Sequence, residues 1–152
     1  MAVTAKWYGL SASKTWTSTA TDDLEWTSDT IKVALVTVTY TPNQDTDNYA
    51  NLAGFTANEL AGGGYGRATL GTKTLTYDAA SNTIRFKAAD SVFGPGFTGV
   101  FRYAVIFKDT GAAATSPLLG WVDFGADQSI AAGTFTINWD TTDGILRAVV
   151  AA

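Results

Sequence analysis

The sequence predicts an all-β fold: a two-sheet antiparallel β-sandwich, jelly-roll or Greek-key like, of about seven or eight short strands. Three observations predict it. The 152 residues include 24 threonines, and Thr is β-branched and suits a half-exposed pleated surface. Apolar residues recur with period two in several short windows. Asp, Asn, Gly and Pro fall between those windows, where turns need them.

The strands follow in order. In residues 31–37, Ile31, Val33 and Leu35 share a face. Residues 72–77 and 83–88 form a hairpin through Asp78-Ala79-Ala80-Ser81-Asn82. Residues 101–108 place Phe101, Tyr103, Val105 and Phe107 on one face and return as 118–124, through Asp109-Thr110-Gly111 and Ser116-Pro117. A third hairpin joins 134–139 to 145–150, because Asp143-Gly144 is a strong hairpin signal. Val33, Leu35, Tyr103, Val105, Phe135 and Ile137 are the expected core. Residues 45–60 are the best helix candidate, with Asp45 or Asp47 as cap and Gly62-Gly63-Gly64 as terminator. Residues 1–30 read as an N-terminal arm or strand, ordered by a partner, and residues 31–152 as the sandwich domain.

Composition removes whole classes of chemistry. The chain has no histidine and no cysteine, so a Ser-His-Asp triad, a thiol nucleophile, a zinc finger and a disulfide are all excluded. The formal charge is −4 and the Lys and Arg residues are scattered, so neither nucleic acid nor an anionic membrane is an expected partner. No segment has the apolar length of a transmembrane helix. Residues 1–10 lack an apolar signal core, so the expectation is that a secretory signal is absent or already removed.

Three kinds of motif have chemical readings. Asp109-Thr110-Gly111-Ala112 matches the aspartic-protease signature, but that chemistry needs two carboxylates sharing a proton. Lys108 precedes the Asp where the protease pattern has an apolar residue, and the stretch lies at an expected turn. Gly62-Gly63-Gly64-Tyr65-Gly66-Arg67 lacks the Lys-Ser/Thr of a phosphate loop and is followed by a Thr-rich, β-like segment. It reads as a mobile loop or as a bend with close backbone approach. The pairs Asp22-Asp23, Asp45 with Asp47, and Asp140 with Asp143 could offer oxygens to calcium but lack EF-hand spacing. No cofactor, metal or catalytic residue is therefore expected.

The aromatics are the most suggestive class. Trp121 and Trp139 sit in alternating segments and read as core. Trp7, Tyr8, Trp16 and Trp26 lie in a less patterned segment, and Tyr65 lies in the glycine loop. These five are the expected partner-binding residues, since aromatic anchors are enriched at interfaces.

Laid end to end, several segments resemble a family of small tailed-bacteriophage virion proteins. They are Ile31-Lys32-Val33-Ala34-Leu35, Tyr40-Thr41-Pro42-Asn43-Gln44-Asp45-Thr46, Ala57-Asn58-Glu59-Leu60 and Leu75-Thr76-Tyr77-Asp78-Ala79-Ala80. The stretches from Arg102 to Gly111 and from Ser116 to Gly125 continue the likeness, which spans residues 29–146. Relatives carry an apolar, helix-like stretch before the first strong strand, whereas Ser11 to Thr21 is rich in Ser and Thr here. The resemblance implies a structural virion component, a head decoration (cement) protein, made in the host cytoplasm and placed on the capsid surface. Its implied partners are the major capsid protein and further copies of itself. A tail or adhesion component, including a carbohydrate-binding module, is the alternative.

Overall fold

The computed structural model describes residues 2–17, 23–47 and 49–150, without the side chains of Ser11, Trp16 and Thr17. Eight strands and two short helices follow in the order β1 (Lys6–Trp7), α1 (Gly9–Thr17), β2 (Ile31–Val36), α2 (Ala53–Asn58), β3 (Ala68–Thr69), β4 (Thr74–Asp78), β5 (Thr83–Lys87), β6 (Ser91–Lys108), β7 (Leu118–Ile137) and β8 (Leu146–Val149). A 3-10 turn, Ala113–Thr115, lies between β6 and β7. Strands β1-β7-β6-β2-β3 make one sheet and β4-β5-β8 the other, with every pairing antiparallel. The fold is all-β and sandwich-like, as the alternation predicts.

Around β2 the larger sheet is buried on both faces. Its inner face packs Ile31, Val33, Leu35, Ala104, Ile106 and Leu119 against Phe86, Ile145 and Leu146 of the smaller sheet. Its outer face carries Ala34, Val36, Val105, Phe107 and Leu118, covered by Tyr8, Tyr40, Ala50 and Phe55. Strand β2 is therefore buried at every position except Lys32, which is half-buried. A strand buried on both sides is a near-continuous apolar run. Each fully buried Phe, Leu or Ile contributes on the order of 1.5–3 kcal/mol by leaving water.

Strands β6 and β7 form one long, bent ribbon. Their register shifts between Phe93 and Phe97, between Phe97 and Gly99, between Phe101 and Tyr103, and between Ile106 and Phe107. Such irregularities bend a ladder and re-aim its side chains. Phe101 accordingly faces the inner core while Tyr103, Val105 and Phe107 face the outer one, which corrects the expectation that all four share a face. The third expected hairpin does not form either. Phe135 and Ile137 end β7 and pair with Phe93 and Ser91, while β8 pairs with β5. The Asp140–Gly144 stretch instead carries the chain between sheets. Asp140 Oδ1 accepts from the Thr142 and Asp143 amides, and Gly144 takes φ +78° with its Cα against the Phe86 carbonyl.

The N-terminal segment departs furthest from expectation. Residues 2–8 run through the fold rather than forming a free arm. Val3 bridges Trp139, Lys6 and Trp7 pair with Trp121 and Gly120, and the Ala5 amide donates to the Ile145 carbonyl at 2.6 Å. Helix α1 then lies on the larger sheet. Tyr8, Ala12 and Thr15 are buried, and their spacing is that of one helix face. Of the helix expected within 45–60, one and a half turns form, as α2, which buries Phe55.

Candidate assembly surface

The five aromatics expected to bind a partner are mostly enclosed by the chain itself. Tyr8 is fully buried, with its ring 4.7 Å from Trp121 and its hydroxyl 2.7 Å from that of Tyr40. Trp26 is buried, and its indole N–H donates to the Lys87 carbonyl. Trp7 is half-buried, and its indole N–H donates to the Arg147 carbonyl at 2.8 Å. Both tryptophans meet Phe86 edge-on, at 5.1 Å for Trp7 and 5.4 Å for Trp26. They tie the chain at positions 7 and 26 to the smaller sheet. Trp16 belongs to α1, but its side chain lies outside the described residues.

Tyr65 is half-buried and turned inward. Its ring stacks on Phe93, and its hydroxyl donates to Glu59 Oε1 while accepting the Leu35 amide. Burial, with Glu59 beside it, pushes this phenol well above the ordinary tyrosine range. The glycine loop explains itself in the same region. A Cβ on Gly64 would stand 2.6 Å from the Gly96 carbonyl oxygen, and one on Gly63 2.8 Å from that of Thr98. Only glycine allows that backbone approach at φ +76° and +55°. No helix follows to receive a phosphate; the next element is β3.

The acidic motifs are engaged in local structure. Asp109 pairs with Lys32 at 2.5 Å and accepts the Gly111 amide; Lys32 above all holds its carboxyl below the usual range. Asp47 is buried and accepts from the Tyr40 hydroxyl and the Asn43 amide. Asp143 pairs with Arg147, and Asp23 with Lys108, while Asp22 lies outside the described residues. Among the described residues, no three carboxylates gather into a possible metal site.

Exposed apolar surface collects elsewhere, on the smaller sheet. Opposed residues of antiparallel strands share a face. Leu75 opposes Phe86, which opposes Leu146; Tyr77 opposes Ile84, which opposes Ala148. These six residues make one apolar face. Phe86 and Leu146 are buried in the core between the sheets, whereas Leu75 is 50% and Tyr77 58% exposed. A shallow groove runs there, lined by Leu24, Leu75, Ile84, Ala148 and Val150. The opposite face is polar: Thr76, Arg85 and Arg147 align across the sheet, and Arg85 pairs with Asp78 at 2.8 Å. The period-two pattern of 74–78 carries this face in the sequence, but not the fact that among the described residues nothing covers its outer half.

A second depression lies along β7, between Phe124, Phe135, Asp123, Gln128 and Asn138. Asp123 is held there by Arg102 at 2.9 Å. Comparison of the chain with protein families, curated proteins and solved structures finds no match.

Proposed function

We propose that this chain is a structural component of a tailed-bacteriophage particle: a head decoration protein that binds the major capsid protein in many copies and braces the joints between capsomers. The observation that carries the reading is the apolar face of the smaller sheet. Leu75 and Tyr77 stand on a regular hairpin, half-exposed or more, continuous with the molecule's own core. A rigid apolar patch of this kind suits docking onto another protein surface. Repetition over a shell turns modest individual contacts into durable attachment. The role is one of binding rather than catalysis, on the outside of a virion assembled in the host cytoplasm.

The test adds purified protein to particles that lack it and measures co-sedimentation. Saturable binding at high copy to tail-less heads is expected, weakened by Ala148→Glu with Val150→Glu on the apolar face. Binding to tails alone, or none to either, overturns the reading.

The depression along β7 favours a second reading, an adhesion component with a sugar-binding surface. Phe124 and Phe135 supply apolar walls beside the polar groups of Asp123, Gln128 and Asn138. Saccharide-induced chemical-shift changes confined to those residues would select it.

A further inference from the structure

We infer that two copies of this chain pair antiparallel through the free edge of β4, extending the three-stranded sheet into a six-stranded one across a two-fold axis at Thr76. The inference is drawn from the edges of both sheets. The larger sheet ends in β1 and β3, which are two residues each, and the parts of β6 and β7 that run beyond them are bent by register shifts and interrupted by Pro95. The outer side of β8 is occupied by the N-terminal segment, through the Ala5 amide to the Ile145 carbonyl and the Trp7 indole to the Arg147 carbonyl. Strand β4 is different. Its five residues pair with β5 without a bulge, and among the described residues no strand lies on its other side.

Edges left open in this way are normally blunted by a proline, a bulge, a lysine or an inward-pointing charge. The sequence Thr74-Leu75-Thr76-Tyr77-Asp78 has none of these within its central three residues, and Thr74 to Tyr77 are all exposed. Tyr77 is held in place by its hydroxyl bond to Asn82 Oδ1. The edge is therefore flat, ordered and half apolar.

Charge selects the occupant as a second copy and sets its direction. Lys73 precedes the strand and Asp78 ends it. Among the described residues Lys73 makes no ion pair, while Asp78 is fixed by Arg85 and Ser81. Parallel pairing would align like charge with like. Antiparallel pairing about Thr76 sets Thr74 opposite Asp78 of the second copy, with Lys73 next to that carboxylate, and does so twice. The same register sets Leu75 opposite Tyr77 of the second copy. Both apolar faces then lie on one side, as a self-complementary two-fold interface requires. The two single-residue slips place Leu75 opposite Thr76 in one case and Asp78 in the other, and turn the two apolar faces away from each other.

The chain has no cysteine, which makes the test clean. The full-length Thr76→Cys variant is treated with a short bis-maleimide, beside Thr142→Cys on an exposed loop as control. Sedimentation velocity over a dilution series is run on the wild type and on Thr76→Lys, which sets two like charges face to face. The expected results are a concentration-dependent dimer, efficient cross-linking only at position 76, and a dissociation constant raised roughly tenfold by the lysine. A wild type that is monomeric throughout overturns the inference. So does a dimer that Thr76→Lys leaves intact and that cross-links no better at 76 than at 142. Particles are absent from these measurements, so the self-pairing stands or falls separately from the decoration role.

Discussion

The hydrogen-bond chain Tyr8–Tyr40–Asp47 predicts an unequal and non-additive response to losing its hydroxyls. Tyr40 donates to Asp47 Oδ2 at 2.7 Å, and its oxygen lies 2.7 Å from that of Tyr8. Since the one phenolic proton of Tyr40 is committed to Asp47, Tyr8 is the donor to Tyr40. Tyr8→Phe removes that donor and leaves an acceptor with its own bond intact, at a cost of about 0.5–1.5 kcal/mol. Tyr40→Phe does more. It strands the Tyr8 proton in a fully buried site and takes a donor from the buried Asp47. The expected cost is about 2–4 kcal/mol, from a lost bond to a carboxylate plus an unsatisfied hydroxyl. In the double variant no proton is stranded, so it should cost no more than Tyr40→Phe alone. Urea unfolding at constant m-value gives the three free-energy changes. Strict additivity, or a larger loss from Tyr8→Phe than from Tyr40→Phe, would refute the donor assignment.

The other expectations concern backbone and pH. Gly64→Ala should destabilise by about 2–4 kcal/mol, adding a clash with the Gly96 carbonyl to a left-handed backbone. Gly62→Ala, at φ +70° with open space around it, should cost only about 1 kcal/mol; equal midpoints in denaturant would contradict the packing. Tyr8, Tyr40 and Tyr65 are all pushed above the ordinary tyrosine range, by burial first. The unfolded chain releases these protons near pH 10 and the folded chain does not, so stability is full below that pH and falls as pH rises past it. Tyrosinate absorbance from these three should appear only as the β-type circular dichroism is lost; full titration with the dichroism unchanged would count against their burial. Asp78, held mainly by Arg85, sits at about 2, so the stability it contributes starts to fall below about pH 4 while its pairing in the folded chain is lost only as pH reaches about 2. The Asp78–Arg85 contact, followed by the Arg85 side-chain resonance, checks this.

What the sequence reveals of this fold is local. Residues 31–36, the hairpin of β4 and β5, and the adjoining halves of β6 and β7 are all legible as alternation. Partner choice is not. Phe135 and Ile137 look like half of a local hairpin because Asp143-Gly144 follows, yet the β6–β7 ribbon continues far enough to claim them. Helix α1 is hidden by its composition, since Ser and Thr are indifferent helix formers. The spacing Tyr8, Ala12, Thr15 is its only helical mark, and two of those residues are small or polar. The same limit applies to the surface. Tyr8 and Trp26 read as anchors because nothing in their own neighbourhood shows what covers them; the cover comes from Tyr40 and Trp121, and from Phe86. Leu75 and Tyr77, which alternate like any half-buried strand, are the residues left uncovered.

The route of residues 3–7 has a consequence for how the molecule is made. These residues are made well before their partners, which are Gly120, Trp121, Asn138, Trp139, Ile145 and Arg147. During synthesis they have nothing to pair with until more than a hundred further residues exist. The larger sheet cannot gain its β1 edge before β7 has been made, nor can Ala5 and Trp7 reach their carbonyl partners before Ile145 and Arg147 exist. The slow closure expected of sequence-distant strands falls at this step. Until then Trp7 stands open in a growing chain, which makes the nascent state, rather than the native one, the form most in need of protection from its neighbours.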